Sequence, residues 1–407
     1  MKSKSIKEDL ISLYIHIPFC KRKCNYCDFL SFASTDEKST DEKKKQYIDS
    51  LINEIKYTSK IIKKYQIKTV FIGGGTPSLL EKGEVFRLFL ALRKYLNISD
   101  DAEITIEINP GTLSEEKIAE YRECRINRIS IGLQSADDKE LALLGRIHNY
   151  NTFEENYRML RKCGFDNINI DLISGLPGQT YSNVEDTLKK VIALKPEHIS
   201  VYGLIIEETT PFYELYGPDK PKEEMLPDEE TERKMYHEAK RILDENGYKH
   251  YEISNFSIDG KQCKHNLVYW KRGNYIGLGL GASSMIENVR FKNTVSLEEY
   301  MELFSISDID EKFEKKYKES LEEYEILSKK SIIEEYMILR LRLLEGVDLE
   351  HFYNTFNIRL FEIPGYKKHT LEMLENKLLK LENNRLFLTE RGLDLANYVM
   401  QGYCIAE

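Results

Sequence analysis

The chain has 407 residues, 41% of them hydrophobic and 31% charged, with a formal net charge of −9. That length supports two or three globular domains, and the acidic balance excludes a general nucleic-acid binder, which needs a basic face to neutralise phosphates. No apolar run reaches the length of a membrane span. Seven cysteines, with no apolar signal-peptide core at the N-terminus, fit a reducing, cytoplasmic setting.

The first two thirds alternate short β-like runs with helical spacing. Predicted strands are "LYIHIPF" (13–19), "KTVFIGGG" (68–75), "EITIEINP" (103–110), "RISIGLQS" (128–135), "NINIDLISGLP" (167–177) and "HISVYGL" (198–204). Helical patterns lie between them at 45–63, 81–96, 114–124, 150–163 and 181–193. Repeated β-then-α units predict a parallel sheet with right-handed crossovers. Periodicity alone leaves both an incomplete (β/α) barrel and an open Rossmann-like sheet. A helix near 229–246 follows, then a further strand in "HYEISNFS" (250–257). The glycine-rich 273–284 reads as a close-packed turn region, and the charged tract 307–335 as a solvated linker or exposed helix face. From about 331 the pattern is helical, and a hairpin-like piece in "LENNRLFLTERGLDLANYVM" precedes a last helix, which suggests a winged-helix-like end.

Each predicted strand ends in polar or glycine-rich residues, and α/β sites form at the carboxyl ends of strands. The first ends in Cys20-x3-Cys24-x2-Cys27. A structural zinc site prefers four ligands in two separated pairs, and a disulfide framework prefers an even count in a small secreted chain. A [4Fe–4S] cluster normally takes four thiolates. With three, one iron stays open to chelate the amino and carboxylate groups of S-adenosylmethionine (SAM), whose sulfonium an electron from the cluster can cleave to a 5′-deoxyadenosyl radical. A zinc site completed by His16 or Asp28 is the alternative.

The other strand ends fit the cluster reading. "GGGTP" (73–77) lets backbone approach a methionine ammonium, although Thr76 in a plain strand-to-helix turn would serve equally as an N-cap. Glu107, Gln134 and Asp171 close later strands and Arg146 follows the fourth. They offer acceptors for an ammonium and ribose hydroxyls, and a guanidinium for a carboxylate.

"YIHIPFCKRKCNYCDF", "GGGTPS", "EINPGTL", "NRISIGLQSADDKELALLGRIH", "NIDLISGLPGQT" and "ISVYGLIIEETTPF" together resemble the radical SAM proteins related to oxygen-independent coproporphyrinogen III oxidase. The resemblance runs from Tyr14 to about Ser284 and more weakly beyond. It implies that Cys20, Cys24 and Cys27 hold the cluster and that Tyr14, Gly74, Gly75, Thr76, Glu107, Gln134, Arg146 and Asp171 contact SAM. It also implies a partial (β/α)6 barrel over 1–245, an extension at 246–300, and a smaller helical, winged-helix-like domain over 301–407.

The resemblance does not fix the reaction. The oxidases place a fourth cysteine where Phe29 stands here, and carry a longer segment before the first strand than the thirteen residues preceding Tyr14. "HNLVYW" (265–270) resembles the HNxxYW motif of the family's heme-carrier branch. It offers His265 for axial iron ligation and Tyr269 and Trp270 for the macrocycle face; a satisfied core histidine with two packing aromatics is the other reading. Cys263 is a lesser candidate as a heme ligand or thioether site, and Cys124, Cys163 and Cys404 read as buried small hydrophobes. The expectation is a carrier that delivers heme to an acceptor protein, a membrane-bound respiratory enzyme being one class, with no catalytic residue assigned. A radical enzyme acting on a porphyrin, by decarboxylating coproporphyrinogen or modifying heme, is the alternative. Monomer or homodimer, and peripheral membrane contact, are left open.

Overall fold

A computed structural model describes residues 9–305 and 311–405. The first eight residues, on which the reading of the N-terminus rests, and residues 306–310 of the charged tract lie outside the described residues. The expected units follow in order: β1 (Asp9–Ile17), α1 (Asp41–Ile61), β2 (Tyr65–Gly74), α2 (Glu84–Tyr95), β3 (Ile98–Ile108), α3 (Glu115–Glu123), β4 (Arg128–Gln134), α4 (Tyr150–Lys162), β5 (Ile168–Ser174), α5 (Tyr181–Ala193) and β6 (His198–Gly203). All six strands run parallel and pair in sequence order. Leu13, Ile15, Ile72, Ile106, Ile131 and Ile170 are fully or almost fully buried, as expected where helices cover a parallel sheet. Four barrel helices start on a side-chain cap that a sequence can announce: Thr40, Ser114, Asn149 and Thr180 each accept a backbone N–H of the first turn.

The sheet continues past both ends of this series. After α6 (Glu229–Glu245), which packs on α5, the strands β7 (Lys249–Glu252) and β8 (Asn255–Ser257) form an antiparallel pair, with β8 on β6. The "HYEISNFS" segment is therefore two strands joined by a turn at residues 253–254, with a register shift between Asn255 and Phe256. The chain then crosses the barrel through α7 (Lys264–Trp270) and returns as β9 (Tyr275–Leu278), parallel to β1 on the side opposite β2. The glycine-rich segment is thus not only a turn. Its apolar Ile276 and Leu278 fill the core beside β1, and Gly277 and Gly279 are small because Ser283 O and the Tyr47 hydroxyl lie 2.4 and 2.5 Å from where a Cβ would stand.

The antiparallel strands β10 (Ser283–Ile286), β11 (Val289–Lys292) and β12 (Glu323–Ile326) complete a twelve-stranded sheet among the described residues, whose two ends are not paired with each other. The charged tract is not only solvated linker: helix α8 (Glu311–Glu319) buries Phe313 and Tyr317 against Tyr57 and Phe304 of the main core. Charge along a helix marks its outer face and hides an apolar pair four residues apart on the inner one.

Beyond it, helices Lys329–Leu341, Leu349–Phe356, Pro364–Glu375 and Ala396–Ile405 surround a three-stranded antiparallel sheet. Their own core includes Met337, Phe352, Leu386, Val399 and Tyr403. The hairpin turns on Asn383 and Asn384, both at positive φ, as two-residue hairpins prefer. Of the three cysteines read as buried, Cys124 is buried, Cys163 is partly so, and Cys404 is exposed on the outer face of the last helix. No helix among the described residues is long and apolar enough to cross a membrane.

Candidate active site: the cysteine loop and the mouth of the barrel

The cysteine loop leaves β1 at its carboxyl end. It is fixed at its base by a two-residue parallel bridge, Phe19–Cys20 against Phe32–Ala33. His16 braces it from below, with Nδ1 bonded to the Tyr14 hydroxyl at 2.9 Å and Nε2 to the Leu30 carbonyl at 2.8 Å. Both nitrogens of that buried ring are therefore engaged within the fold, which removes it from the alternative zinc set. On the far side, the Asn25 backbone N–H and side-chain amide donate to the carbonyls of Leu144 and Leu143, at 3.0 and 2.9 Å.

Glycines bring β2 against this loop. Gly74 has φ +112°, and an added Cβ would stand 2.5 Å from the His16 ring. Gly75 lies so close that a Cβ would meet the Phe19 carbonyl at 2.8 Å and the Cys20 sulfur at 3.0 Å. Its N–H donates to Ile17 O, and that of Thr76 to Phe19 O, both at 2.8 Å. Thr76 caps no helix through its side chain; its hydroxyl points to Cys20 Sγ at 3.5 Å.

One hydrogen-bonded chain ties two of the three sulfurs together. Arg146 donates from Nη1 to Cys24 Sγ at 3.4 Å, and from Nη2 to the Asn109 carbonyl oxygen at 2.5 Å and to Gly132 O at 2.6 Å. Asn109 Nδ2 donates to the Thr76 hydroxyl at 2.9 Å, which reaches Cys20. Burial pushes the Cys20 thiol up and that of Cys27 up to about 11. Neither gives up its proton readily until a metal centre takes its place. Among the described residues no three His, Cys, Asp or Glu side chains are gathered closely enough to hold a single metal ion.

Two cavities meet in the barrel. The outer one, about 360 Å³, is lined by all three cysteines together with Gly74, Gly75, Thr76, Glu107, Gln134, Arg146 and Asp171. The inner one, about 230 Å³, holds Tyr14, Arg128, His265 and Tyr269. Glu107, Ser130, Asp171 and Tyr202 face both. Glu107 accepts from Gly74 N–H at 3.1 Å, and burial, with the Asp171 charge behind it, raises its carboxyl to about 8. Asp171 is also raised by burial, against hydrogen bonds from Ser130 at 2.9 Å and Asn169 at 2.8 Å. Gln134 sits at φ +75° where β4 breaks register with β5, which turns its side chain out of the strand pattern.

Seven of the eight expected SAM residues therefore gather with the three cysteines, and Tyr14 lies one layer deeper. The HNxxYW residues do not share this opening. His265 is 1% exposed, bonded from Nδ1 to Thr69 at 2.8 Å and from Nε2 to Tyr269 at 2.9 Å. Burial, helped by the Arg128 charge, holds its imidazole down to about 3. Trp270 lines neither cavity and stacks under Arg342, whose guanidinium is 4.4 Å from its ring. Cys263 is fully buried beside Glu103. Sequence reasoning passed over Asn109 and Tyr202. Asn109 stands inside the strand end "EINP" and Tyr202 opens "YGL", the end of the sixth predicted strand, so position marked both.

The donor set suits a cluster with one open iron: three thiols, a cation beside one, and a glycine seat where any side chain would strike a sulfur. The Radical SAM superfamily matches residues 14–191, and the HemN C-terminal domain matches 327–395. The heme chaperone HemW of Lactococcus lactis is 37% identical, over 97% of each chain. That of Bacillus subtilis is 34% identical over 96% of this chain and 98% of its own. Coproporphyrinogen III oxidase (HemN) of Escherichia coli shares the fold, with a TM-score of 0.82 over 97% of this chain and 90% of that one, at 24% identity. With three thiols lining one cavity at the barrel mouth, and relatives matched end to end, this chain belongs to the radical SAM superfamily, in the family of the heme chaperone HemW.

Proposed function

We propose that this chain is a heme carrier, holding heme beside a SAM-bound cluster and passing it to an acceptor protein in the cytoplasm or at the membrane face, a respiratory enzyme being one such acceptor. The [4Fe–4S] cluster and SAM come with superfamily membership. We assign the cluster to Cys20, Cys24 and Cys27, and SAM to Tyr14, Gly74, Gly75, Thr76, Glu107, Gln134, Arg146 and Asp171. The observation that carries this assignment is the single cavity faced by the three thiols and seven of those eight residues.

When bound, the cluster would supply an electron to the SAM sulfonium. The chain's own residues prepare the place. Thr76 and Arg146 donate to the sulfurs of Cys20 and Cys24, which fixes where those two sulfurs stand, and the Thr76 bond partly offsets the rise that burial imposes on Cys20. Glu107, held by the Gly74 N–H, presents a carboxyl that an arriving ammonium would draw to its ionised form. Heme as cargo rests on the names of the relatives and on Phe29, which cannot ligate a metal where the oxidases carry a cysteine.

The test is to incubate the reconstituted protein anaerobically with SAM, reductant and coproporphyrinogen, and in parallel to titrate it with hemin. Saturable hemin binding without decarboxylated product is expected. Multiple turnovers of coproporphyrinogen would refute the carrier reading.

A further inference from the structure

Within the barrel, the HNxxYW helix leaves little room for a tetrapyrrole. Both His265 nitrogens are bonded, Trp270 is covered by Arg342, and the inner cavity, about 230 Å³, falls below the roughly 300–1,000 Å³ typical of pockets for drug-sized ligands. The mouth of the cysteine cavity differs. Phe29 is 60% exposed and Ile205 is 69% exposed, and both line it. Large apolar side chains left in water together at one opening are informative, because exposed apolar patches mark docking surfaces.

The basic groups nearby complete the pattern. Arg22 lines the same mouth, is exposed, and makes no hydrogen bond or ion pair with another described residue. Lys23 lies beside it, its ammonium donating only to the Phe29 carbonyl at 3.2 Å. Asp28 and Glu207 also face the opening, so a dianion is confined to the Arg22–Lys23 side rather than held anywhere on the rim.

We infer that this mouth is the docking surface for the heme macrocycle, with one face on Phe29 and Ile205 and the carboxylates on Arg22 and Lys23. Phe29 then has a positive role: it supplies an apolar platform above the SAM cavity. The inference rests on the carrier reading and adds where the cargo sits.

Hemin titration of the cluster-reconstituted full chain, read as a difference spectrum against matched protein without hemin, tests it. Phe29→Asp and Ile205→Asp should each weaken hemin binding at least fivefold, with iron and sulfide content unchanged. Ile205→Asp decides should Phe29→Asp lose its cluster, since Ile205 lies outside the cysteine loop. Arg22→Glu combined with Lys23→Glu should weaken hemin at least fivefold but leave hemin dimethyl ester unaffected. Wild-type protein that fails to bind hemin would sink the carrier reading. Wild-type binding with Ile205→Asp changed less than fivefold would overturn this inference and leave the carrier reading standing.

Discussion

Gly74→Ala is the change whose cost the structure lets one build up term by term. Gly74 sits at φ +112°, where an L-residue is strained by about 1–3 kcal/mol. The new methyl would stand 2.5 Å from the His16 ring, so the ring must move. Moving it gives up the bonds to Tyr14 and Leu30, each worth about 1 kcal/mol. The sum is about 3–5 kcal/mol, and it falls where the cysteine loop is braced. Urea unfolding of the metal-free protein should show that loss, and anaerobic reconstitution should recover less iron than wild type. In a His16→Ala background the ring is gone, so Gly74→Ala should cost only the backbone share of about 1–3 kcal/mol. A loss below about 1 kcal/mol in the wild-type background, or an equal loss in both, would refute the reasoning.

Other consequences can be checked alongside. Cys20→Ala, Cys24→Ala and Cys27→Ala should each abolish iron and sulfide retention, whereas Cys404→Ser, on the exposed last helix, should leave both unchanged. Arg146→Met removes the donor to Cys24 and Asn109; cluster retention under mild chelation should fall roughly 10–100-fold, the usual cost of losing a ligand's outer partner. Glu54 is fully enclosed and accepts from Gly279 N–H, Asn293 and Tyr300. Burial raises its carboxyl from 4.5 to about 7, equivalent to about 3 kcal/mol. Because the folded value lies above the unfolded one, that contribution is fully present below pH 4.5 and is lost as pH rises through 7. Urea unfolding from pH 5 to 8 should therefore show a steeper decline for wild type than for Glu54→Gln, and equal slopes would remove Glu54 from the account.

The site was legible in the sequence where its parts are local. Three cysteines within eight positions, and glycines at a strand end, express geometry that one turn of chain dictates. Glu107, Gln134 and Asp171 could be found because each stands in or at the end of its own apolar run, and parallel strands all deliver their ends to one face; Arg146 comes later, past a short helix at Asp138–Leu143. Spacing cannot report depth. Tyr14 is two positions short of the braced His16 and belongs to the inner cavity, and His265, which reads as a ligand, is closed in by Thr69 from a strand almost two hundred residues earlier.

The sequence by itself determined the parallel α/β series, the helix starts, the cysteine and glycine motifs and the hairpin at Asn383–Asn384, because each is set by neighbours in the chain. Only the tertiary structure decided that β9 completes β1 from the far end of the sheet and that Phe313 and Tyr317 leave a charged tract for the main core. It also decided that Phe29 and Ile205 meet at one opening while His265 does not reach it. Those outcomes follow from competition for buried surface among segments distant in sequence, where a polar residue is enclosed once a partner satisfies it and an apolar one stays in water only where no partner arrives.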